Sequence, residues 1–166
     1  MKRYALFLGC TIPARQPNYE LSARKALTKL GIELVDLAET TCCAPPPVRS
    51  IDLETSLAVA AYNICLAEEA GLDLVTLCSG CFESLSAANN MLKGNEHLKK
   101  RINRVLSEVG KEFLGSRRVK HYLQVLVEDV GIERLKRNVS RSLSGLRAAA
   151  FYGCHALRPS GLLGLD

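Results

Sequence analysis

The sequence contains no tryptophan, and aromatic residues make up only 5% of its 166 residues. That leaves little material for stacking nucleic-acid bases. No apolar run reaches the roughly 18–20 residues that a membrane span needs. Met1-Lys2-Arg3 leads straight into a strand-like run, Tyr4 to Leu8, with no small-residue cleavage site behind it. A secretory leader is therefore not expected, and the cytoplasm is the expected location. A glycine-rich phosphate loop is also missing. Hydrophobic residues at 48% and charged residues at 23% are the proportions of an ordinary globular domain with its own core.

What the chain does have is cysteine, seven in all. Cytosolic thiols are kept reduced, so metal binding or redox catalysis explains them better than a disulfide framework. The odd count also suits no closed set of bridges. The formal net charge of +5 treats every cysteine as neutral. Metal ligands are thiolates, and five of them would cancel that excess, so the charge does not argue for nucleic acid.

Strand-like runs alternate with helix-like stretches. Tyr4–Leu8, Ile32–Leu37, Leu72–Leu77 and Ala148–Tyr152 read as strands, with Val119–Tyr122 either a short strand or the start of a helix reaching Val130. Tyr19–Leu30 has helical spacing and stops at Gly31. Cys42 to Arg49 reads as a loop stiffened by Pro45-Pro46-Pro47. Ser50 is the expected N-cap of a helix reaching Ala70, with Leu53, Leu57, Ala61, Ile64 and Cys65 on its apolar stripe. Further helices are expected over Cys81–Leu92 and Glu96–Phe113. This alternation predicts an α/β fold: a parallel, Rossmann-like sheet with helices on both faces.

Three cysteine groups each follow a predicted strand: Cys10, then Cys42-Cys43, then Cys78 with Cys81. Parallel strands end along one edge, where open α/β sheets bind ligands, so five distant cysteines are expected to converge. The spacing is C-x31-C-C-x34-C-x2-C. Zinc and common iron–sulfur clusters each take four ligands, and adjacent cysteines fit poorly on one small ion. A multinuclear iron–sulfur cluster is the expected occupant, with zinc the alternative, either in an assembly module or where a cluster has been lost. Cys78-Ser79-Gly80-Cys81 also reads as a dithiol motif at a helix N-terminus, which leaves a dithiol/disulfide oxidoreductase open.

Phe7-Leu8-Gly9-Cys10 resembles Phe151-Tyr152-Gly153-Cys154 at an offset of 144 residues. Two domains are therefore expected: a first cysteine-rich domain over 1–147 and the start of a truncated second copy over 148–166. Phe7 to Arg15, Cys42-Cys43-Ala44-Pro45-Pro46-Pro47, Thr76 to Cys81 and Tyr152-Gly153-Cys154-His155 resemble the B subunit of heterodisulfide reductase, of the cysteine-rich CCG-domain family. The resemblance covers essentially the whole chain. It implies a non-cubane [4Fe-4S] cluster on Cys10, Cys42, Cys43, Cys78 and Cys81, and a second such motif in each full-length protein. It implies reductive cleavage of a disulfide of the coenzyme M–coenzyme B type, as in methanogenesis. Electrons would arrive through the other heterodisulfide reductase subunits, the iron–sulfur C subunit and the flavin-bearing A subunit. Without a complete second motif the chain alone is expected to be inactive. Ala44 stands where the motif has glycine, which costs backbone freedom if that position needs positive φ.

Other residues have plainer readings. Cys65 is expected in the core and Cys154 as an idle thiol. His97 reads as a surface residue, and His121 and His155 as solvated or core histidines. Lys99, Lys100, Arg101, Arg104, Arg117, Arg118 and Lys120 read as a solvated face, and docking of an acidic partner is the sharper alternative.

Overall fold

Alternation along the first strand sets the architecture. In β1 (Lys2–Phe7), Tyr4 and Leu6 face one side and Ala5 and Phe7 the other, and all four are buried. A strand buried on both faces needs cover on both sides. The computed structural model, which describes residues 1–163, provides it. β1 pairs in parallel with β2 (Ile32–Asp36) and with β3 (Asp73–Thr76), and β4 (Val119–His121) lies beyond β3. The sheet order is β2-β1-β3-β4, and every pairing is parallel.

Between the strands run α1 (Thr11–Arg15), α2 (Pro17–Lys29), α3 (Pro46–Ile51), α4 (Leu53–Glu69), α5 (Ser79–Gly94) and α6 (Glu96–Ser107). After β4 come α7 (Tyr122–Gln124), a π-helical stretch over Val125–Val130, α8 (Ile132–Asn138), α9 (Cys154–Leu157) and α10 (Ser160–Leu163). Ala23 and Leu27 of α2 join Val125 and Val130 under Tyr4, Leu6 and Val75 on one face. Leu57, Ile64, Leu85, Leu92 and Ile102 of α4–α6 pack under Ala5, Phe7 and Leu74 on the other.

Several expected boundaries move for identifiable reasons. The cap of α4 is Asp52, whose carboxylate accepts from the Thr55 N–H at 3.1 Å. Ser50 instead lies inside α3, its hydroxyl donating to the Pro46 carbonyl at 3.1 Å. The proline run starts α3 rather than prolonging a loop, since proline's missing N–H costs nothing in a first turn. α6 stops at Ser107, and Phe113 is buried beyond it, its backbone bonded on both sides to the Asn103 amide. Ala148–Tyr152 forms no strand: no described strand pairs with it, and Phe151 is 98% exposed. An apolar strand needs a neighbour for both its hydrogen bonds and its side chains.

Lys120 departs from the solvated-face reading. It is buried, its Nζ 2.7 Å from Asp129 Oδ2 and 2.9 Å from Glu128 Oε2. The Tyr4 hydroxyl donates to Asp129 at 2.6 Å, and Lys2 pairs with the same carboxylate. Burial pushes the Asp129 carboxyl up, but bonds from Lys120, Lys2 and Tyr4 outweigh it and bring the pKa from 3.8 to about 2. A depressed carboxylate stabilises the fold above its unfolded pKa and stops doing so as pH falls through the folded one. Asp129→Asn should therefore cost about 2 kcal/mol near neutrality. Its deficit against wild type should shrink as pH drops from about 4 to 2, read from urea midpoints.

Candidate metal centre

The carboxyl ends of β2, β1 and β3 lie side by side, and every cysteine of the five-member set follows one of them. After β1 the chain turns at Gly9, in the left-handed region at φ 67°. A Cβ built there would stand 2.7 Å from Cys81 Sγ. Only glycine lets the backbone beside Cys10 come this close to a sulfur carried by α5. Cys10 then opens α1 and is exposed.

Cys78 is the N-cap of α5 and packs against both hydrophobic clusters. Cys43, Cys78 and Cys81 lie close enough to shift one another's titration, with Cys81 acting on both of the others. The two neighbouring sulfurs, together with burial, hold Cys81 itself well above the usual thiol range. Proximity to Cys81 lowers Cys78 to about 5, against burial and with help from the N–H groups of Cys81 and Gly80 and the charge of His155. Cys43 is lowered chiefly by Cys81, against burial, and the Ser84 hydroxyl adds to it. Thiols whose titration is shifted downward beside one another fit a thiophilic metal group, because metal binds the thiolate and displaces its proton.

The other two candidates stand apart. Cys42 is exposed and faces a groove of about 610 Å³ lined by Ala58, Val59, Tyr62, Val105 and Val109. Its neighbour Cys43 is buried on the thiol side. Among the described residues, no three His, Cys, Asp or Glu side chains form a group able to hold a single metal ion. That holds for Cys43, Cys78 and Cys81 as well, and Cys10 and Cys42 share their edge as exposed residues. Cys65 is a core residue, its thiol pushed up to about 12 by burial. Cys154 and His155 are exposed at the start of α9, which packs on α5. His97 is exposed, whereas His121 is buried beside Phe82 with its pKa drawn down to about 4 by burial.

Between the two cysteines of the pair and the proline run lies Ala44, buried with φ 52°. This is the conformation anticipated for the motif's glycine, here imposed on an alanine. The loop's anchors were not visible from spacing. Ser56 donates to the Ala44 carbonyl at 3.4 Å, Arg49 pairs with buried Glu83, and the Asn63 amide bonds the backbone at Thr41 and Cys42. A lone amide on the apolar face of α4 was the available signal.

Residues 4–86 match the cysteine-rich domain (CCG) family. The chain belongs to the CCG family. An Archaeoglobus profundus protein, described as like the B subunit of heterodisulfide reductase, is 40% identical over 96% of this chain and 54% of its own length. The B subunit of a ferredoxin/F(420)H(2)-dependent CoB-CoM heterodisulfide reductase from Methanosarcina acetivorans is also 40% identical, over 96% of this chain and 53% of its own. The membrane anchor of the 8-methylmenaquinol:fumarate reductase of Wolinella succinogenes is 33% identical over 99% and 57%. The chain spans about half the length of these curated relatives. A hypothetical protein from Helicobacter pylori has a related fold, with a TM-score of 0.68, 20% identity, and 76% of this chain and 25% of that one covered. No described helix is long and apolar enough to cross a membrane.

Two substitutions read the backbone directly. Ala44→Gly removes a left-handed alanine and should leave stability unchanged or raise it by about 0.5–1 kcal/mol, whereas Gly9→Ala should lower it by about 1–2 kcal/mol or more. Both are measured as denaturant midpoints. Alkylation of Cys78 in the metal-free chain should stay fast down to about pH 5 and slow below it, because only the thiolate attacks. A half-maximum near the ordinary 9.0 would contradict the lowering of Cys78 by Cys81 and the α5 N–H groups.

Proposed function

We propose that this chain holds a non-cubane [4Fe-4S] cluster on Cys10, Cys42, Cys43, Cys78 and Cys81 and belongs to a heterodisulfide reductase-like complex. The observation that carries the reading is the meeting of Cys43, Cys78 and Cys81 at the carboxyl edge, with Gly9 pressed against Cys81. Bound there, such a group supplies reducing electrons to a disulfide, which takes up two electrons and two protons to become two thiols. Cys43, Cys78 and Cys81 would hold it as thiolates, Cys81 losing its proton on binding, and Gly9 leaves the room. Cys10 and Cys42 complete the set by turning in from the rim. A cluster of several irons asks for sulfurs further apart than one ion does, in keeping with the two that stand off.

The substrate class is a mixed disulfide of the coenzyme M–coenzyme B kind, after the Methanosarcina relative's name. The partners are the iron–sulfur C subunit and the flavin-bearing A subunit of such a complex. We place the chain in the reducing cytoplasm, where seven unpaired cysteines persist as thiols. Residues 1–147 form the first CCG domain and 148–166 begin a second, of which 164–166 lie outside the described residues. Support for the repeat is local: Gly9 and Gly153 are both left-handed, at φ 67° and 71°, and a short helix follows each cysteine.

A dithiol oxidoreductase is the second reading, favoured by the low Cys78 beside the high Cys81. It leaves Cys43 in the thiol group unexplained. Purification without oxygen, followed by iron, acid-labile sulfide and zinc analysis, separates the readings. The cluster predicts about four irons with matching sulfide, lost in Cys10→Ala and Cys43→Ala. Stoichiometric zinc without iron after anaerobic reconstitution would leave an assembly module. Disulfide reduction that survives Cys10→Ala with no iron would leave the dithiol.

A further inference from the structure

Asn63 sits in the middle of α4, among buried Ala60, Ile64 and Ala67 with Ser56 two turns back, and it is completely buried. An amide in such a place is costly unless every polar atom is used. Here all of them are. Asn63 Oδ1 accepts from the Thr41 N–H at 2.8 Å. The two Nδ2 protons reach the Cys42 and Val59 carbonyls, both at 3.0 Å, and the Thr41 hydroxyl at 3.3 Å shares one of them. Two of these partners are backbone groups on either side of the Thr41–Cys42 peptide, which belongs to a loop with no helix or strand to satisfy it.

The consequence is directional. With the peptide plane at Cys42 held from α4, the two adjacent cysteines diverge: Cys42 opens into the groove between α4 and α6, and Cys43 is buried among the thiols. We propose that Asn63 is the positioning residue for the Cys42–Cys43 pair, fixing the directions in which the two thiols leave the loop before any metal arrives. The inference rests on the cluster reading above for its function, but not for its test. No other side chain type meets the same demand. Aspartate would set a carboxylate against two carbonyl oxygens, and serine would fall short of the loop. A hydrocarbon would strand the Thr41 N–H and the Cys42 carbonyl.

The metal-free chain tests this by residue-resolved alkylation, with far-ultraviolet circular dichroism confirming the fold. In wild type, Cys42 labels fast and Cys43 slowly. In Asn63→Asp, and in the milder Asn63→Ser, Cys43 labelling should rise about tenfold or more as the loop opens locally, while Cys81 on α5 keeps its protection. A general loss of stability would expose Cys65 and Cys81 as well, so their protection separates positioning from unfolding. Should Asn63→Asp fail to fold, Asn63→Ser carries the measurement. Unchanged Cys43 protection in a folded variant, or Cys43 and Cys81 exposed in parallel, would overturn the proposal. After anaerobic reconstitution the variants should load several-fold less iron than wild type. Wild type that loads no iron, with Cys43 selectively exposed in the variants, would refute the cluster reading and leave the positioning intact.

Discussion

Strands that all run the same way end on the same side, and the rest of the molecule depends on that constraint. β2, β1 and β3 are separated by a helix or more of chain, yet their carboxyl ends are neighbours because the pairing is parallel throughout. Cysteines up to 71 positions apart in the chain reach one edge with no long loop. The cover required by a two-faced sheet does the remaining work. α5 packs against β3 and β4 and starts at the edge, so its first turn presents Cys78 and Cys81, with backbone N–H groups facing the Cys78 sulfur.

The edge is costly to build. Gly9 and Ala44 are both left-handed, one where a side chain would strike a sulfur and one where an alanine bears the conformation without relief. Asn63, Ser56 and Glu83 are polar groups sunk in an apolar helical layer, the first two tied to the loop that carries the cysteine pair and the third to Arg49 in α3, which follows that loop. Strain and buried polarity of this kind lower stability unless the surrounding packing over-determines them. Here they cluster around the thiols, whereas the far face of the sheet is held by apolar packing and the Asp129 ion pairs.

The parallel sheet and its cysteine edge were legible because period-two and helical patterns, strand ends and cysteine positions are all local signals. Cys65 was legible as core from its place on an apolar stripe. What was not legible depends on contacts between distant residues. Asp52 displaces Ser50 as a cap because Pro46 begins its own helix. Lys120 is buried because Asp129 and Glu128 lie over β4 on a π-helical turn. Ala148–Tyr152 has strand composition but no described strand beside it. The different settings of Cys42 and Cys43 were also hidden: their adjacency spoke against a single small ion but did not show that Cys42 lies on a groove while Cys43 is buried.

Iron-edge anomalous diffraction from crystals grown without oxygen addresses the central claim most directly. The account predicts an anomalous peak at the carboxyl edge, within bonding distance of Cys43, Cys78 and Cys81, with Cys10 and Cys42 turned inward to reach it. An anomalous peak at Cys65 or Cys154 instead, or an edge that stays free of iron after anaerobic reconstitution, would contradict it.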